Sequence, residues 1–231
     1  MLAEATMGID AISQLQAVPR GTVRVSCVPN ASRVLLAPIL PRFLQQYPEV
    51  RVEVQVTNRI VDLYEDGVDV ALRVQADIQE SGSVVVRPLW KGAMHIVAAP
   101  SLLCDVSPPV CLEDLARFPT LDRTEPQGRH VWMLRTPDGR PVEFAHNPRL
   151  VSDDLETLLQ AALAGIGIAK LSELMCGSAI AAGKLRPLLS DWTIPPHELY
   201  AIFLSRRGLL PAVRQFINFL AESLHVAQNQ T

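Results

Sequence analysis

Cysteine, lysine and long apolar runs are all scarce in this chain, and each scarcity excludes something. The four cysteines are Cys27, Cys104, Cys111 and Cys176. No two are spaced as CxxC, and no histidine stands near them in a metal-ligand register. That excludes a zinc finger and a disulfide scaffold, and it points to reduced thiols in a cytoplasmic protein. Cys27 falls in an apolar strand and Cys176 in an apolar helical stretch, so both read as core residues. The longest apolar stretch, Leu158 to Leu171, is too short for a bilayer, which takes about 20 residues. The N-terminus lacks a basic segment leading into an apolar one, so no secretion signal is expected.

Positive charge is also in short supply. The formal net charge is -3 and the pI about 6.0. Binding to duplex DNA needs Lys and Arg to neutralise phosphates, so this chain carries no nucleic-acid surface of its own. Only three of its 21 basic residues are lysine. Arginine suits carboxylates and phosphates better than lysine because its fork is planar. No Ser-His-Asp or Cys-His arrangement is coherent, the five histidines are scattered, and neither a metal nor a cofactor is expected.

What is present is a core-forming α/β pattern, with 48% hydrophobic and 19% charged residues. Gly21 to Arg73 sets the organisation. Thr22 to Val28 is a strand, followed by the polar turn Pro29 to Arg33. A helix carries Leu35, Leu36, Ile39, Leu40, Phe43 and Leu44 on one face and stops at Tyr47-Pro48. Pro38 and Pro41 are awkward inside it, so either the regular helix starts near Pro38 or its first turn is irregular. Both options leave backbone N–H groups near Asn30 to Val34 free. Arg51 to Thr57 is a second strand whose alternation suits one more exposed face, at a sheet edge or a dimer contact. Ile60 to Asp66 reads as a short helix stopped by Gly67, and Val68 to Arg73 as a third strand. This order implies a parallel sheet with right-handed crossovers. Ligands bind beyond the carboxyl ends of such strands, here Pro29 to Arg33, Thr57 to Arg59 and Arg73 to Gln75.

Further strands are expected at Val84 to Leu89 and His95 to Ala99. A Pro-rich stretch from Pro100 then leads into a second subdomain. There Pro137-Asp138-Gly139-Arg140 joins two alternating runs as a hairpin. Asp153 with Glu156 reads as a capping box before the helix of Leu158 and Leu159. Gly165 and Gly167 end that helix, Ile166 to Ala169 re-enters a sheet, and Leu171 to Ala182 is helical. The strand Leu199 to Leu204 and a helix from Pro211 complete the chain. Two crossings make two lobes: 21–98 with 204–231, and 99–203, with a ligand cleft between them. Met1 to Val18 reads as a short helical piece.

The ordered motifs carry a resemblance. Gly21-Thr22-Val23-Arg24-Val25 is followed by Leu36-Ala37-Pro38, Tyr47-Pro48 and Gly67-Val68-Asp69-Val70-Ala71-Leu72-Arg73. Arg87-Pro88-Leu89, Gly165-Ile166-Gly167-Ile168-Ala169, Gly183-Lys184-Leu185 and Pro211 to Ile217 come next. From Pro19 to about Leu224 the chain resembles the effector-binding domain of LysR-type transcriptional regulators. The resemblance implies two Rossmann-like lobes joined by two crossover strands, like a type II periplasmic binding protein. It implies a bacterial regulator that senses a small-molecule effector and is not an enzyme. It also implies antiparallel dimers of this domain and tetramers of the full-length protein. The family's winged helix-turn-helix has no counterpart here. Residues 1–20 read as the remnant of its linker helix, and DNA would be bound only through the missing part. A solute-binding protein of a transport system is the alternative on the same fold.

Candidate effector-binding residues follow at the strand ends. Asn30, Ala31 and Ser32 either bind an anion through free helix N–H groups or simply cap the helix. Arg33 is a cleft cation or a solvated surface residue. Thr57, Asn58 and Arg59 match a second effector-contacting turn, or cap a helix. Arg73 contacts ligand or, as the stronger reading, forms an ion pair with Asp69 or Asp77. The opposing wall draws on Arg123, Thr124 and Ile168 to Lys170. Lys170 and Ser172 depart from the family's usual apolar residue and proline, which places a cation near the cleft. The expected effector is an organic acid or an aromatic metabolite.

Overall fold

The structure, a computed structural model, describes residues 18–74, 83–104, 106–125, 128–205 and 209–228. The helical piece expected over Met1 to Val18 lies outside them except for Val18, and so do Gln75 and Asp77. The chain forms two compact units, Met1–Lys91 with Glu198–Thr231, and Gly92–His197. The crossings therefore come earlier than the 98/99 and 203/204 boundaries drawn from the sequence. The reason is hydrogen bonding: the strand Met94–Ala98 pairs within the second sheet, not the first.

In the first unit, β1 (Gly21–Cys27) pairs in parallel with β2 (Val50–Val56) and with β3 (Val70–Val74). The sheet continues through β12 (His197–Leu204), antiparallel to β3, to β4 (Val84–Gly92). β2 is the sheet edge, as its alternation suggests. Val23, Val25, Cys27, Val70 and Leu72 fill the interior. The C-terminal helix α5 (Pro211–Gln228) sets Phe216 and Phe219 with ring centroids 5.1 and 5.4 Å from Phe43.

The helix after β1, α1, has three registers: Pro29–Ala31, a π-helical stretch Ser32–Leu36, and Ala37–Gln46. The Ala37 N–H bonds to the Ser32 carbonyl five residues back. Pro38 and Pro41 cannot donate to Val34 and Ala37, and their rings crowd those carbonyls. The widened turn before Pro38 accommodates them, so the first-turn irregularity is realised as a π segment. Between β2 and β3 the expected helix shrinks to one turn. The Asp62 carboxylate accepts the Tyr64 and Glu65 N–H groups. Gly67, at φ +63°, then closes the turn through Val68 N–H to the Leu63 carbonyl. With so few residues between cap and stop, no second turn fits.

The second unit holds a sheet ordered β11-β5-β10-β6-β9. Its strands are β5 (Met94–Ala98), β6 (Thr120–Arg123), β9 (Leu150–Ser152), β10 (Ile168–Ser172) and β11 (Arg186–Leu188). The expected hairpin forms from β7 (His130–Arg135) and β8 (Pro141–His146), with Gly139 at φ +85° in its turn. One sheet face packs Ile96 and Ile168 with Trp132, Leu134, Phe144 and the short helix α2 (Leu112–Leu115). The other packs Val97, Ala169 and Leu171 with α3 (Leu155–Leu163) and α4 (Glu173–Ala181). The cap of α3 is Asp154, which accepts the Thr157 N–H, and not Asp153. β10 extends through Ser172 because Leu171 and Ser172 pair with His95 and Met94, so helix formation waits until Glu173. Among the described residues no helix is long and apolar enough to cross a membrane.

Candidate functional site

Parallel strands aim their carboxyl ends the same way, so β1, β2 and β3 deliver Cys27, Val56 and Val74 to one rim of the first sheet. α1 begins there. Its N-cap is Val28 and Pro29 fills the first turn, so no side chain caps the helix. Asn30 and Ser32 are thus not caps. Asn30 is half-buried and Ala31 is buried, while Arg33 is exposed and engaged with a neighbour. Ser32 N–H bonds to the Val28 carbonyl at 3.0 Å. The N–H groups of Asn30 and Ala31 precede any carbonyl that an α-turn could offer them.

Arg73 organises this rim. Its Nη2 donates to Ser26 Oγ at 2.7 Å and to the Arg59 carbonyl at 3.1 Å, and its Nη1 donates to the Leu72 carbonyl at 2.9 Å. All three acceptors are neutral. The expected ion pair with Asp69 is absent, because that carboxylate accepts the Arg24 N–H at 2.7 Å instead. Asp77 lies outside the described residues. Burial lowers the Arg73 pKa, partly opposed by Cys27. Beside it, burial pushes the Cys27 thiol up to about 12, against the pull of the Arg73 charge, so this cysteine is unreactive at neutral pH.

Thr57, Asn58 and Arg59 form a turn rather than a helix cap. Thr57 Oγ1 accepts the Arg59 N–H at 3.1 Å, and Asn58 is engaged elsewhere. Arg59 pairs with Asp66 at 2.8 Å, which lowers the Asp66 pKa through that hydrogen bond. Its side chain is committed, and its carbonyl is what serves Arg73.

On the second sheet, Arg123 and Thr124 are exposed at the end of β6. Arg123 Nε pairs with Glu125 at 2.9 Å. Ile168 is fully buried and its side chain is spent on the core, which removes it as a lining side chain. Lys170, two residues on, is half-buried, and its Nζ lies 6.0 Å from the centroid of the Trp132 ring.

The structure adds a group that sequence reasoning missed. Asp122 is buried at the end of β6, with Oδ2 3.0 Å from His130 Nδ1 and 3.4 Å from His146 Nε2. His146 Nδ1 is 2.7 Å from Thr120 Oγ1. Burial would raise the Asp122 carboxyl, but the approach of His146, Trp132 and His130 outweighs it and brings it down to about 2. His130 is the side chain that hydrogen-bonds Asp122; His146 Nε2 and Trp132 Nε1 have no hydrogen-bond partner among the described residues. No spacing rule could have joined residues 122, 130 and 146. Among the described residues no His, Cys, Asp and Glu cluster could hold a metal ion.

Comparison with known proteins gives a consistent set of matches. The family described as LysR substrate binding domain matches residues 16–225. The chain is 31% identical over 208 residues to the HTH-type transcriptional regulator CrgA of Neisseria meningitidis serogroup C (strain 8013), covering 90% of this chain and 68% of that protein. It is 32% identical over 220 residues to an HTH-type transcriptional regulator of Xanthomonas campestris pv. campestris (strain 8004), spanning 93% of this chain but only 63% of that relative. The solved regulatory domain of CrgA from Neisseria meningitidis has a TM-score of 0.77 at 30% identity, covering 89% of this chain and 100% of its own.

Proposed function

The chain belongs to the LysR family of transcriptional regulators, as their effector-binding domain, and we propose that the effector it senses is an acidic small molecule received at the strand ends of Asn30, Ala31 and Arg73. Regulators of this family bind small-molecule effectors and oligomerise. The observation that carries the acidic reading is Arg73, a half-buried guanidinium held only by neutral acceptors among the described residues. A charge taken from water is costly unless a counter-charge meets it. The helix N–H groups of Asn30 and Ala31 favour an anion at the same rim. Ser32, Arg33, Thr57, Asn58 and Arg59 shape the approach to this rim.

In this reading the domain is a sensor and not an enzyme, and it works in the cytoplasm. It dimerises, and the full-length protein forms tetramers. Effector binding changes unit and oligomer geometry, and DNA is reached only through an N-terminal helix-turn-helix such as its relatives' names describe. The shift is bounded by the effector's differential affinity for the two states.

A thermal-shift screen of organic acids and aromatic metabolites is the first test, since a ligand stabilises the state it binds. For any acid found, Arg73→Met weakens binding about tenfold or more in calorimetry, the worth of one charge-assisted hydrogen bond. Asn30→Asp weakens it as well, by placing a negative charge at the helix start. Unchanged affinity in both variants removes the anion from this rim.

A further inference from the structure

The β7–β8 hairpin forms a two-stranded sheet of its own, so its ends and its packing tie it to the rest of the second unit. It runs from the His130–His146 rung to the Arg135–Pro141 rung. Alternate rungs face inward, which puts His130, His146, Trp132, Phe144 and Leu134 on one face. At the open end the two histidines meet β6. His130 Nδ1 is 3.0 Å from Asp122 Oδ2, and His146 Nε2 is 3.4 Å from the same oxygen. Thr120 Oγ1, 2.7 Å from His146 Nδ1, sets the turn of that ring, which stacks on Phe144 with centroids 5.4 Å apart. The Asp122 carboxyl is brought down to about 2, so the group that receives this rung is charged at neutral pH.

At the other end the tie is made by backbone. Arg135 N–H donates to the Thr193 carbonyl at 2.7 Å, and Thr193 N–H donates to the Arg135 carbonyl at 2.9 Å. Thr193 stands in the segment between β11 and β12. That segment leaves β11 at Leu189, a buried leucine at φ +52°, where a bulky side chain is strained. Trp192 N–H bonds to the Leu189 carbonyl at 2.9 Å, and Trp192 and Ile194 pack on the core that the hairpin covers. Three residues, Ile194, Pro195 and Pro196, separate Thr193 from His197. His197 is the last residue of the second unit and the first of β12, so the chain crosses between units there. Each proline holds φ at about −65°, which makes the link stiff. A shift at Thr193 therefore reaches the crossing with little loss.

We propose that the hairpin is a strut, which carries the state of the β6 end at Asp122 to this crossing through the Arg135–Thr193 bonds and the proline pair. Both ties are needed. A hairpin held only at Asp122 would move without consequence, and one held only at Thr193 would have nothing to report. Release at Asp122 leaves His130 without its hydrogen-bond partner in a mostly buried place, which is costly, so the open rung lifts. The Arg135–Thr193 bonds then weaken, and Leu189 is free to leave its strained conformation. Coupling of this kind requires an element with two discrete arrangements, and a small sheet docked at two ends provides one. The strut works whatever the effector's chemistry, so it stands apart from the acidic-effector reading.

Native-state hydrogen exchange of the whole chain tests the strut without any ligand. Asp122→Asn keeps the side-chain shape and removes its charge. Exchange at the Arg135 and Thr193 amides and at the start of β12 speeds up about tenfold or more, the worth of one charge-assisted hydrogen bond. Amides of α1 and of α3, which packs on the opposite face of the second sheet, keep their rates. Thr193→Pro removes one of the two bonding N–H groups and speeds exchange at the start of β12 in the same way. With the strut already cut, adding Asp122→Asn to it produces no further change there. Thr193→Ala keeps both backbone bonds and leaves every rate as it was. If Asp122→Asn fails to fold, Thr120→Val, which withdraws the hydroxyl at His146, replaces it. If Thr193→Pro fails to fold, the contrast of hairpin and β12 with α1 and α3 decides alone. Faster exchange at Arg135 with Thr193 and β12 unmoved overturns the strut, and so does additivity in the double variant. Equal acceleration in α1 and α3 marks a general loss of stability and overturns it too.

Discussion

His197 shows how one residue reports the charge around it. Its pKa falls from the ordinary 6.5 to about 4, first through burial and then through the nearby Arg123 and Lys170. Folding therefore excludes a proton that the unfolded chain would hold. The associated stability is fully present above about pH 6.5 and is lost as pH falls through about 4, a penalty on the order of 2 kcal/mol after solvent screening. His197→Gln should flatten the dependence of unfolding free energy on pH across that window in urea titrations. A slope matching the unsubstituted protein would show that the imidazole protonates freely in the fold. Arg73 makes a contrasting case. Its charge was legible in the sequence, but its partners were not, because Ser26, Arg59 and Leu72 converge only when three separate segments meet.

At the scale of elements, the entry into β10 depends on Gly167. A Cβ there would lie 2.7 Å from the Pro119 carbonyl and 3.0 Å from the Leu121 side chain. That carbonyl accepts the Ile168 N–H at 2.8 Å, the bond that starts β10 beside β6. Backbone and core leave no soft direction for relief. Gly167→Ala is expected to cost about 1–3 kcal/mol, typical of overpacking, seen as a lower urea midpoint with an unchanged slope. The Gly-x-Gly signal was visible in the sequence as a helix stop before a strand. Which glycine answers to close packing and which to a positive φ was not. Gly165, at φ +73°, serves the turn, and Gly167 serves the strand contact. Likewise Pro38 and Pro41 announced an irregular helix start, while its π register depends on where the next carbonyls can go.

For the molecule as a whole, the division into two units has a direct consequence. Both cores of the second unit draw only on residues between Val97 or Ile96 and Ile194. The first unit, by contrast, needs the end of the chain: β12 lies between β3 and β4, and α5 covers Phe43. Truncation after His197 removes both and should therefore unfold the first unit while leaving the second folded. Near-UV circular dichroism reads this, since the buried Trp132 and the partly buried Trp192 belong to the second unit. Loss of the whole aromatic signal would mean that the second unit cannot stand without the first.

By itself the sequence determined the family, the α/β class and the parallel strand order of the first sheet. These follow from local periodicity, cap and stop residues and ordered motifs, all of which are properties of neighbours along the chain. Tertiary structure decided where the chain crosses between units, because that depends on which sheet β5 hydrogen-bonds into. It also decided which candidate side chains carry free charge. Arg59 and Arg123 are paired, Ile168 is buried, and Arg73 and Lys170 are left without a carboxylate among the described residues. Pairing is a matter of a few ångströms between residues far apart in the chain, and only the folded backbone sets those distances.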